Sequence, residues 1–176
     1  KEASGKGEEK TKFEQIKQVL QKKLEASKEI RRLAHSLKFS MTQEGMRIDL
    51  IDDADFTMFI SGTNQMTPDA INLLTEVTAS VRTMPNNLII RGHTDAAPML
   101  HNPGGSNWQL SAERAEATRR FMARAGLDSQ RFSRIEGVAD REPIIPGDRF
   151  DPRNRRMSIT LAWGHASEPV QLASSK

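Results

Sequence analysis

The sequence contains neither cysteine nor tyrosine among its 176 residues. Without cysteine, a disulfide framework, a thiolate metal site and a cysteine nucleophile are all excluded. The sequence also lacks an apolar run near the roughly 20 residues that a membrane-spanning helix needs, and it has no signal-peptide core. Because the chain starts with Lys1 instead of methionine, we expect a fragment or a processed product from which a targeting or membrane segment has been removed.

The charge balance is nearly even, with a net charge of +3 at pH 7. This slight basic bias favours anionic partners in general. Four arginines cluster late in the chain, but tyrosine is absent and no nucleic-acid recognition motif is present. We therefore expect no nucleic-acid partner. The arginines belong on a solvated loop or on the rim of a ligand site, and they are Arg149, Arg153, Arg155 and Arg156.

The chain divides into four predicted segments. Residues 1–11 are charged and small, and they predict a flexible lead because they cannot offset the entropy lost on ordering. Residues 12–38 carry apolar residues at helical spacing and predict an amphipathic linker helix, broken near Ser27. Residues 39–163 form the folded domain, and residues 164–176 form a disordered tail. The apolar stripe of the helix could pack on the domain, on a second copy of the chain or on a membrane surface, in that order of preference.

The domain alternates between strand and helix periodicity. Apolar residues at every second position predict two strands around a turn at Glu44-Gly45. Thr67-Pro68-Asp69 supplies the hydroxyl cap, the first-turn proline and the acidic residue that begin a helix. The remaining predicted elements are a buried strand at 88–91, a helix from 107 towards Gly126, and strands at 132–138 and 157–163. The sequence therefore predicts an α+β fold, a two-layer sandwich of helices on one mixed β-sheet with two β-α-β crossovers, preceded by an N-terminal amphipathic helix.

The segment RGHTDAAP, residues 91–98, places polar groups directly after the buried strand. The carboxyl end of a strand and the amino end of the next helix share one sheet edge, where open sheets bind ligands. Asp95 follows the strand, and Arg114 in the second turn of the helix leans back towards that edge. A fixed carboxylate can bind an ammonium and a fixed guanidinium can bind a carboxylate, so together they can bind a ligand that bears both groups. Leu110, one turn before Arg114, would form an apolar floor.

Other interpretations of these residues stay open. Asp95 and Arg114 could pair with each other and only hold the loop to the helix. His93, Asp95 and His101 could be metal ligands, but their spacing fixes no site, and we expect His93 to bind backbone groups instead. A serine hydrolase is disfavoured because no serine lies in a Gly-x-Ser-x-Gly turn. We therefore expect no metal, no cofactor and no serine nucleophile; a hydrolase with Asp95 or Glu113 as base is the weakest alternative.

Three motifs together resemble the signatures of a known family. RGHTDAAP at 91–98, NWQLSAERA at 107–115 and NRRMSI at 154–159 are similar, in this order, to the signatures of OmpA-like peptidoglycan-binding domains. The similarity spans about residues 39–163. Pro98, Trp108 and the Met58-Phe59 pair ahead of Gly62 further resemble the MotB type of flagellar motor stator protein within this family. The helix at 12–37 resembles the periplasmic linker of that type.

The resemblance implies a non-catalytic anchor that binds the diaminopimelate residue of the peptidoglycan stem peptide. In the family, the aspartate of the first motif holds the ammonium and the arginine of the second motif holds the carboxylate, and these positions are Asp95 and Arg114 here. Of Arg155 and Arg156, the resemblance implies that one braces the ligand loop and the other faces solvent. The expected peptidoglycan-binding residues are Asp95, Arg114, Leu110, Asn107, Thr94, Phe59 and Arg155.

The resemblance also implies partners and a location. A stator protein of this type forms a homodimer, sits in the bacterial inner membrane with its wall-binding domain in the periplasm, and contacts a MotA-type channel partner through a transmembrane segment absent from this chain. The same resemblance leaves a second possibility, a general envelope anchor of the OmpA or Pal kind that has no role in the motor.

Overall fold

The computed structural model describes residues 2–99 and 104–165. Its helices are α1 at Glu2–Ala26, α2 at Pro68–Val81 and α3 at Asn107–Arg124, and its strands are β1 at Leu37–Met41, β2 at Gly45–Ile51, β3 at Asn86–His93, β4 at Phe132–Gly137 and β5 at Arg156–His165. Short 3₁₀ helices lie at Arg31–Ser36, Ser129–Arg131 and Pro152–Asn154. The predicted cap of α2 is present, because Thr67 accepts from the N–H of Ala70, and Ser106 caps α3 by accepting from that of Gln109.

The five strands form one mixed sheet in the order β1-β2-β5-β3-β4. β3 and β4 are parallel, and the other neighbouring pairs are antiparallel. The last strand, β5, lies between β2 and β3. The crossover through α2 therefore spans one intervening strand, whereas the crossover through α3 joins direct neighbours. The predicted α+β class, with one mixed sheet and two crossovers, is confirmed.

The hydrophobic core lies between the sheet and the three helices. Alternate residues of β2, β3 and β5 point into it, among them Ile48, Ile90 and Ile159, none of which is exposed. Several of the residues between them are charged, and Arg91 pairs with Glu136 at 2.6 Å across neighbouring strands. One face of the sheet is therefore apolar and covered by helices, while the other is mostly polar and includes paired charges, as expected for a two-layer fold.

Helix α1, which contains most of the predicted apolar stripe, packs on the domain, the first of the three alternatives predicted for that stripe. Its buried residues are Phe13, Ile16, Leu20 and Leu24. The ring of Phe13 lies 5.2 Å from the indole of Trp163 in β5. Because this stripe is used within the chain, it does not offer a free surface to a second copy.

The amino-terminal part of α1 differs from the flexible lead predicted for residues 1–11. The helix begins at Glu2, well before the apolar periodicity starts. Glu9 is 8% exposed and accepts hydrogen bonds from Asn86 Nδ2 at 3.0 Å and from the backbone N–H of Gly164 at 3.1 Å. A buried polar contact, which composition does not reveal, holds this segment on the sheet.

The segment after α1 is broken, as predicted near Ser27, but it does not resume as an α-helix. The backbone N–H of Arg31 donates to Ser27 at 2.9 Å, and the 3₁₀ helix Arg31–Ser36 leads directly into β1. The predicted disordered tail begins at Gly164, but β5 extends to His165, and residues 166–176 lie outside the described ones. No helix within 2–99 and 104–165 has the length and apolar character needed to cross a bilayer.

Candidate ligand-binding site

Two glycines allow α3 to lie directly against the ends of β3 and β4. A Cβ atom on Gly92 would lie 2.2 Å from the carbonyl oxygen of Ser111, and one on Gly137 would lie 2.3 Å from the backbone nitrogen of Ala112. The hydroxyl of Ser111 also accepts a hydrogen bond from the N–H of Ala139 at 3.0 Å. These contacts fix the first turns of α3 at the sheet edge where β3 ends.

Asp95 lies in the loop after β3 and is 7% exposed. Its Oδ2 lies 2.6 Å from Nη1 of Arg155, and its Oδ1 accepts the N–H of Ala97 at 2.9 Å. Arg155 also donates from Nε to Oδ2 of Asp52 at 3.0 Å. Burial acts to lower the pKa of Arg155, but its two acidic partners outweigh burial and raise it. Arg155 is therefore a charged bridge between two carboxylates.

Asp52, which sequence analysis missed, connects this bridge to the segment after β2. Its Oδ1 accepts the backbone N–H of Met58 at 3.0 Å. Burial raises the pKa of Asp52, and the hydrogen bonds from Met58 and Arg155 oppose this only in part. No local signal could have identified the residue, because it is one of two consecutive aspartates after a strand and its partner Arg155 lies far along the chain.

Arg114 is equally buried, at 7% exposure, but its surroundings differ. Its Nε donates to the carbonyl oxygen of Thr63 at 2.8 Å, and its guanidinium carbon lies 5.0 Å from the centre of the Phe59 ring. Within the described part of the chain, no carboxylate oxygen lies within 4.0 Å of this guanidinium. Burial lowers the pKa of Arg114, and the nearby carboxylates of Asp52 and Asp95 oppose this only in part, yet arginine stays protonated in proteins. A buried cation without an acidic partner is costly, so the position suits an anion supplied from outside.

The geometry differs from one of the two sequence interpretations of Asp95 and Arg114. They do not form a direct ion pair, because Arg155 holds Asp95. The cavity lined by Arg114 and Arg155 measures about 10 Å³, room for about one water molecule, and Asp95 is not part of its lining. A ligand ammonium that takes the place of Arg155 Nη1 at Oδ2 of Asp95 requires Arg155 to move away.

The other predicted site residues lie around the same loop. Asn107 donates from Nδ2 to the carbonyl oxygens of Asp95 and Ala97 at 3.4 and 3.1 Å. The buried hydroxyl of Thr94 donates to the carbonyl oxygen of Asp95 at 2.8 Å. Both side chains therefore fix the loop backbone. Leu110 is buried in α3 one turn before Arg114.

The three residues of the NRR motif have separate roles. Asn154, 1% exposed, accepts the N–H of Ile145 at 2.8 Å and donates to the carbonyl oxygen of Asp148 at 2.9 Å, which shapes the long loop before β5. Arg155 braces the loop after β3 through Asp95. The expectation that the other arginine faces solvent is wrong: Arg156 is 6% exposed and donates to the carbonyl oxygen of Glu142 at 2.8 Å.

His93 is a buried, neutral residue at the end of β3. Burial, together with three nearby arginines, lowers its pKa to about 2. Its Nε2 lies 3.1 Å from the hydroxyl of Ser158, which in turn donates to the carboxylate of Asp49. His93 therefore contacts a side chain where backbone groups were expected. His101, considered with it as a metal ligand, lies outside the described residues.

Comparison with known proteins places this site in context. Residues 58–156 match the OmpA family. Motility protein B of Escherichia coli K12 is 31% identical over 163 residues, which cover 92% of this chain and 53% of that protein. The chain thus spans about half the length of the curated relative. A MotB-like protein from Desulfovibrio vulgaris has the same fold, with a TM-score of 0.75 and 18% identity over 92% of this chain and 98% of that one. The cell wall anchor of the T6SS from Pseudomonas aeruginosa aligns with a TM-score of 0.62 and 24% identity over 73% and 89% of the two chains.

Proposed function

The chain belongs to the OmpA family, and we propose on this premise that it binds peptidoglycan without catalysing a reaction and anchors a protein complex to the bacterial cell wall. We assign wall binding to residues 39–163, which contain the matched residues 58–156. Residues 12–38 are the linker that precedes this domain.

The observation that carries the proposal is the unpaired guanidinium of Arg114. It is buried, fixed by Thr63 and Phe59, and without an acidic partner within 4.0 Å among the described residues. A carboxylate from a ligand would supply the missing negative charge through a short, charge-assisted hydrogen bond. The site therefore favours a ligand that carries a carboxylate.

The second contact is the ammonium of the same ligand on Asp95. The diaminopimelate residue of a stem peptide carries both groups on one carbon, so it would pair its carboxylate with Arg114 and its ammonium with Asp95. Arg155 occupies Asp95 in this structure, and the ligand would displace it. Thr94 and Asn107 would hold the loop in place, while Phe59 and Leu110 would supply apolar contacts.

A role in the flagellar motor is the finer part of the proposal. Its support is the 31% identity with a motility protein over 92% of this chain. In that role the domain lies in the periplasm as a homodimer and belongs to an inner-membrane protein with a MotA-type channel partner. Because α1 packs on its own domain, the dimer would use another surface. An envelope anchor without a motor function would bind the wall through the same residues, and the motility of cells that lack the gene separates the two roles.

A cell-wall hydrolase remains the weaker alternative. Asp95 has both carboxylate oxygens engaged, and the carboxylate of Glu113 accepts from Gln109 at 2.9 Å on the exposed side of α3. Neither residue is arranged as a free general base. If the protein were a hydrolase, incubation with purified sacculi would release soluble muropeptides.

Co-sedimentation with purified sacculi tests the proposal. We expect the unmodified protein to pellet with intact sacculi and Arg114→Ala to weaken binding about 10- to 150-fold, which corresponds to one charge-assisted contact of about 1.5–3 kcal/mol. Asp95→Asn should weaken binding less, because the ligand ammonium there replaces the cation of Arg155. Arg120→Ala is the control, because Arg120 lies exposed on the same helix. Pelleting that survives both site substitutions would show that the wall is bound elsewhere, and free diaminopimelate should compete with binding if the stem peptide is the ligand.

A further inference from the structure

A second group of ligand-type side chains lies outside the site described above. His35 belongs to the 3₁₀ helix Arg31–Ser36, and Asp53 and Asp55 lie in the turn that follows β2. One nitrogen or oxygen atom from each residue lies within 4.8 Å of the other two. His35 Nε2 is 2.8 Å from Oδ2 of Asp53. The group therefore joins the linker to the domain.

The central residue of this group is held in place by its neighbours. Oδ1 of Asp53 accepts the backbone N–H groups of Asp55 and Phe56 at 2.8 and 2.9 Å, and Oδ2 accepts the hydroxyl of Ser36 at 3.0 Å. Partial burial acts to raise the pKa of Asp53, but these hydrogen bonds and His35 outweigh it and lower the pKa. The carboxylate is therefore ionised and oriented towards the imidazole at neutral pH.

We propose that His35, Asp53 and Asp55 bind a divalent transition-metal ion of the zinc class. One imidazole nitrogen with two carboxylate oxygens suits zinc, whereas calcium and magnesium prefer six or more oxygen ligands. With bonds of about 2.0–2.2 Å, donor atoms in a tetrahedral site lie roughly 3.3 Å apart. To reach this spacing, His35 Nε2 and Asp53 Oδ2 need to move apart by about half an ångström, and the Asp55 oxygen needs to move closer to them by at most about 1.5 Å. The imidazole of His35 is half exposed and Asp55 lies at the surface, so both side chains are free to make these movements.

One of the three proposed ligands borders a groove. Asp55 is part of the lining of a surface groove of about 330 Å³ between the turn after β2 and the start of α2. On the far side of the groove, the carboxylate of Asp69 is paired with Arg32 at 2.7 Å. Its charge is therefore already compensated. A water molecule or a group from a partner has room to complete the coordination. This open position is typical of three-ligand zinc sites.

The bound ion would connect two parts of the chain. His35 precedes β1, and the two aspartates follow β2. A ligand that binds only the folded arrangement stabilises it in proportion to its concentration over its dissociation constant. The ion therefore raises the thermal midpoint of unfolding and reduces hydrogen exchange in the 3₁₀ helix.

Calorimetric titration of the metal-free protein with zinc chloride tests the proposal. We expect one saturable site per chain, and we expect His35→Ala and Asp55→Asn each to weaken it at least tenfold, since even outer-shell changes cost 10- to 100-fold. Asp55→Asn is the cleaner variant, because Asn keeps the size of the side chain. The first control is His101→Ala, which removes an imidazole elsewhere in the sequence. The second is Asp128→Asn, which changes an aspartate that accepts a backbone N–H in a similar turn. Both variants should bind zinc as the unmodified protein does.

Three results would overturn the proposal. They are no saturable zinc binding by the folded unmodified protein, binding that survives both site substitutions, and binding that is lost in His101→Ala. Calcium that binds as tightly as zinc and is indifferent to His35→Ala would also overturn it, since that result describes a carboxylate site. None of these measurements depends on peptidoglycan, so they leave the wall-binding proposal untouched.

Discussion

The unpaired guanidinium of Arg114 gives the sharpest prediction, tested by Arg114→Met. Methionine keeps the length and much of the volume of the side chain but removes its charge. The change loses the hydrogen bond to Thr63, worth about 1.5–3 kcal/mol for a charged donor, and the contact with the Phe59 ring, worth about 1–2 kcal/mol. It also removes the cost of burying an unpaired charge, which is several kcal/mol.

These opposing contributions are of similar size. We therefore expect the free energy of unfolding of Arg114→Met, measured with urea, to lie within about 2 kcal/mol of that of the unmodified protein. Sacculus binding should nevertheless weaken about 10- to 150-fold, because the ligand carboxylate loses its partner. Arg120→Met on the exposed side of the same helix should leave both quantities unchanged.

Two outcomes would refute this reasoning. A loss of stability above about 4 kcal/mol would mean that Arg114 is a structural residue whose charge is compensated in the free protein. Normal sacculus binding by a folded Arg114→Met variant would mean that its guanidinium does not meet the ligand.

Two further predictions concern the fold around the site. Because the pKa of His93 is lowered from 6.5 to about 2, the unfolded chain binds a proton below pH 6.5 that the folded chain does not, and the free energy of unfolding should fall as the pH drops below 6.5. In His93→Gln, the free energies of unfolding measured with urea at pH 7 and pH 5 should differ less than in the unmodified protein, and an equal difference would contradict this assignment. Gly137→Ala places a Cβ atom 2.3 Å from the backbone of Ala112, so it should displace α3, destabilise the fold by about 1–3 kcal/mol, lower the thermal midpoint and weaken sacculus binding. Gly147→Ala, with open space at its Cβ position, should change neither quantity. A Gly137→Ala variant as stable as the unmodified protein would contradict the close contact.

The fold was accessible from the sequence because its signals are local. The alternation on either side of Glu44-Gly45, the Thr67-Pro68-Asp69 helix start and the glycine after α3 each depend on near neighbours in the chain. The start of α1 was not accessible, because Glu9 is held by Asn86 and Gly164, contacts between distant segments.

The same distinction explains which contacts of the candidate site could be predicted from the sequence. Asp95 and Arg114 follow from a rule about strand ends and helix starts, which holds for any strand-helix unit. The pairing of Asp95 with Arg155, and of Arg155 with Asp52, depends on where β5 enters the sheet. Because β5 is the last strand and lies between β2 and β3, no spacing along the chain indicates these pairs.

The ion pair between Arg155 and Asp95 limits the affinity that a single domain would have for the proposed wall ligand. A ligand ammonium that displaces this guanidinium exchanges one cation for another, so the net electrostatic gain at Asp95 is small compared with that of an empty acid. A single domain would then release its stem peptide readily. Durable attachment would come from avidity, with several domains of one assembly engaging neighbouring strands of the same polymer.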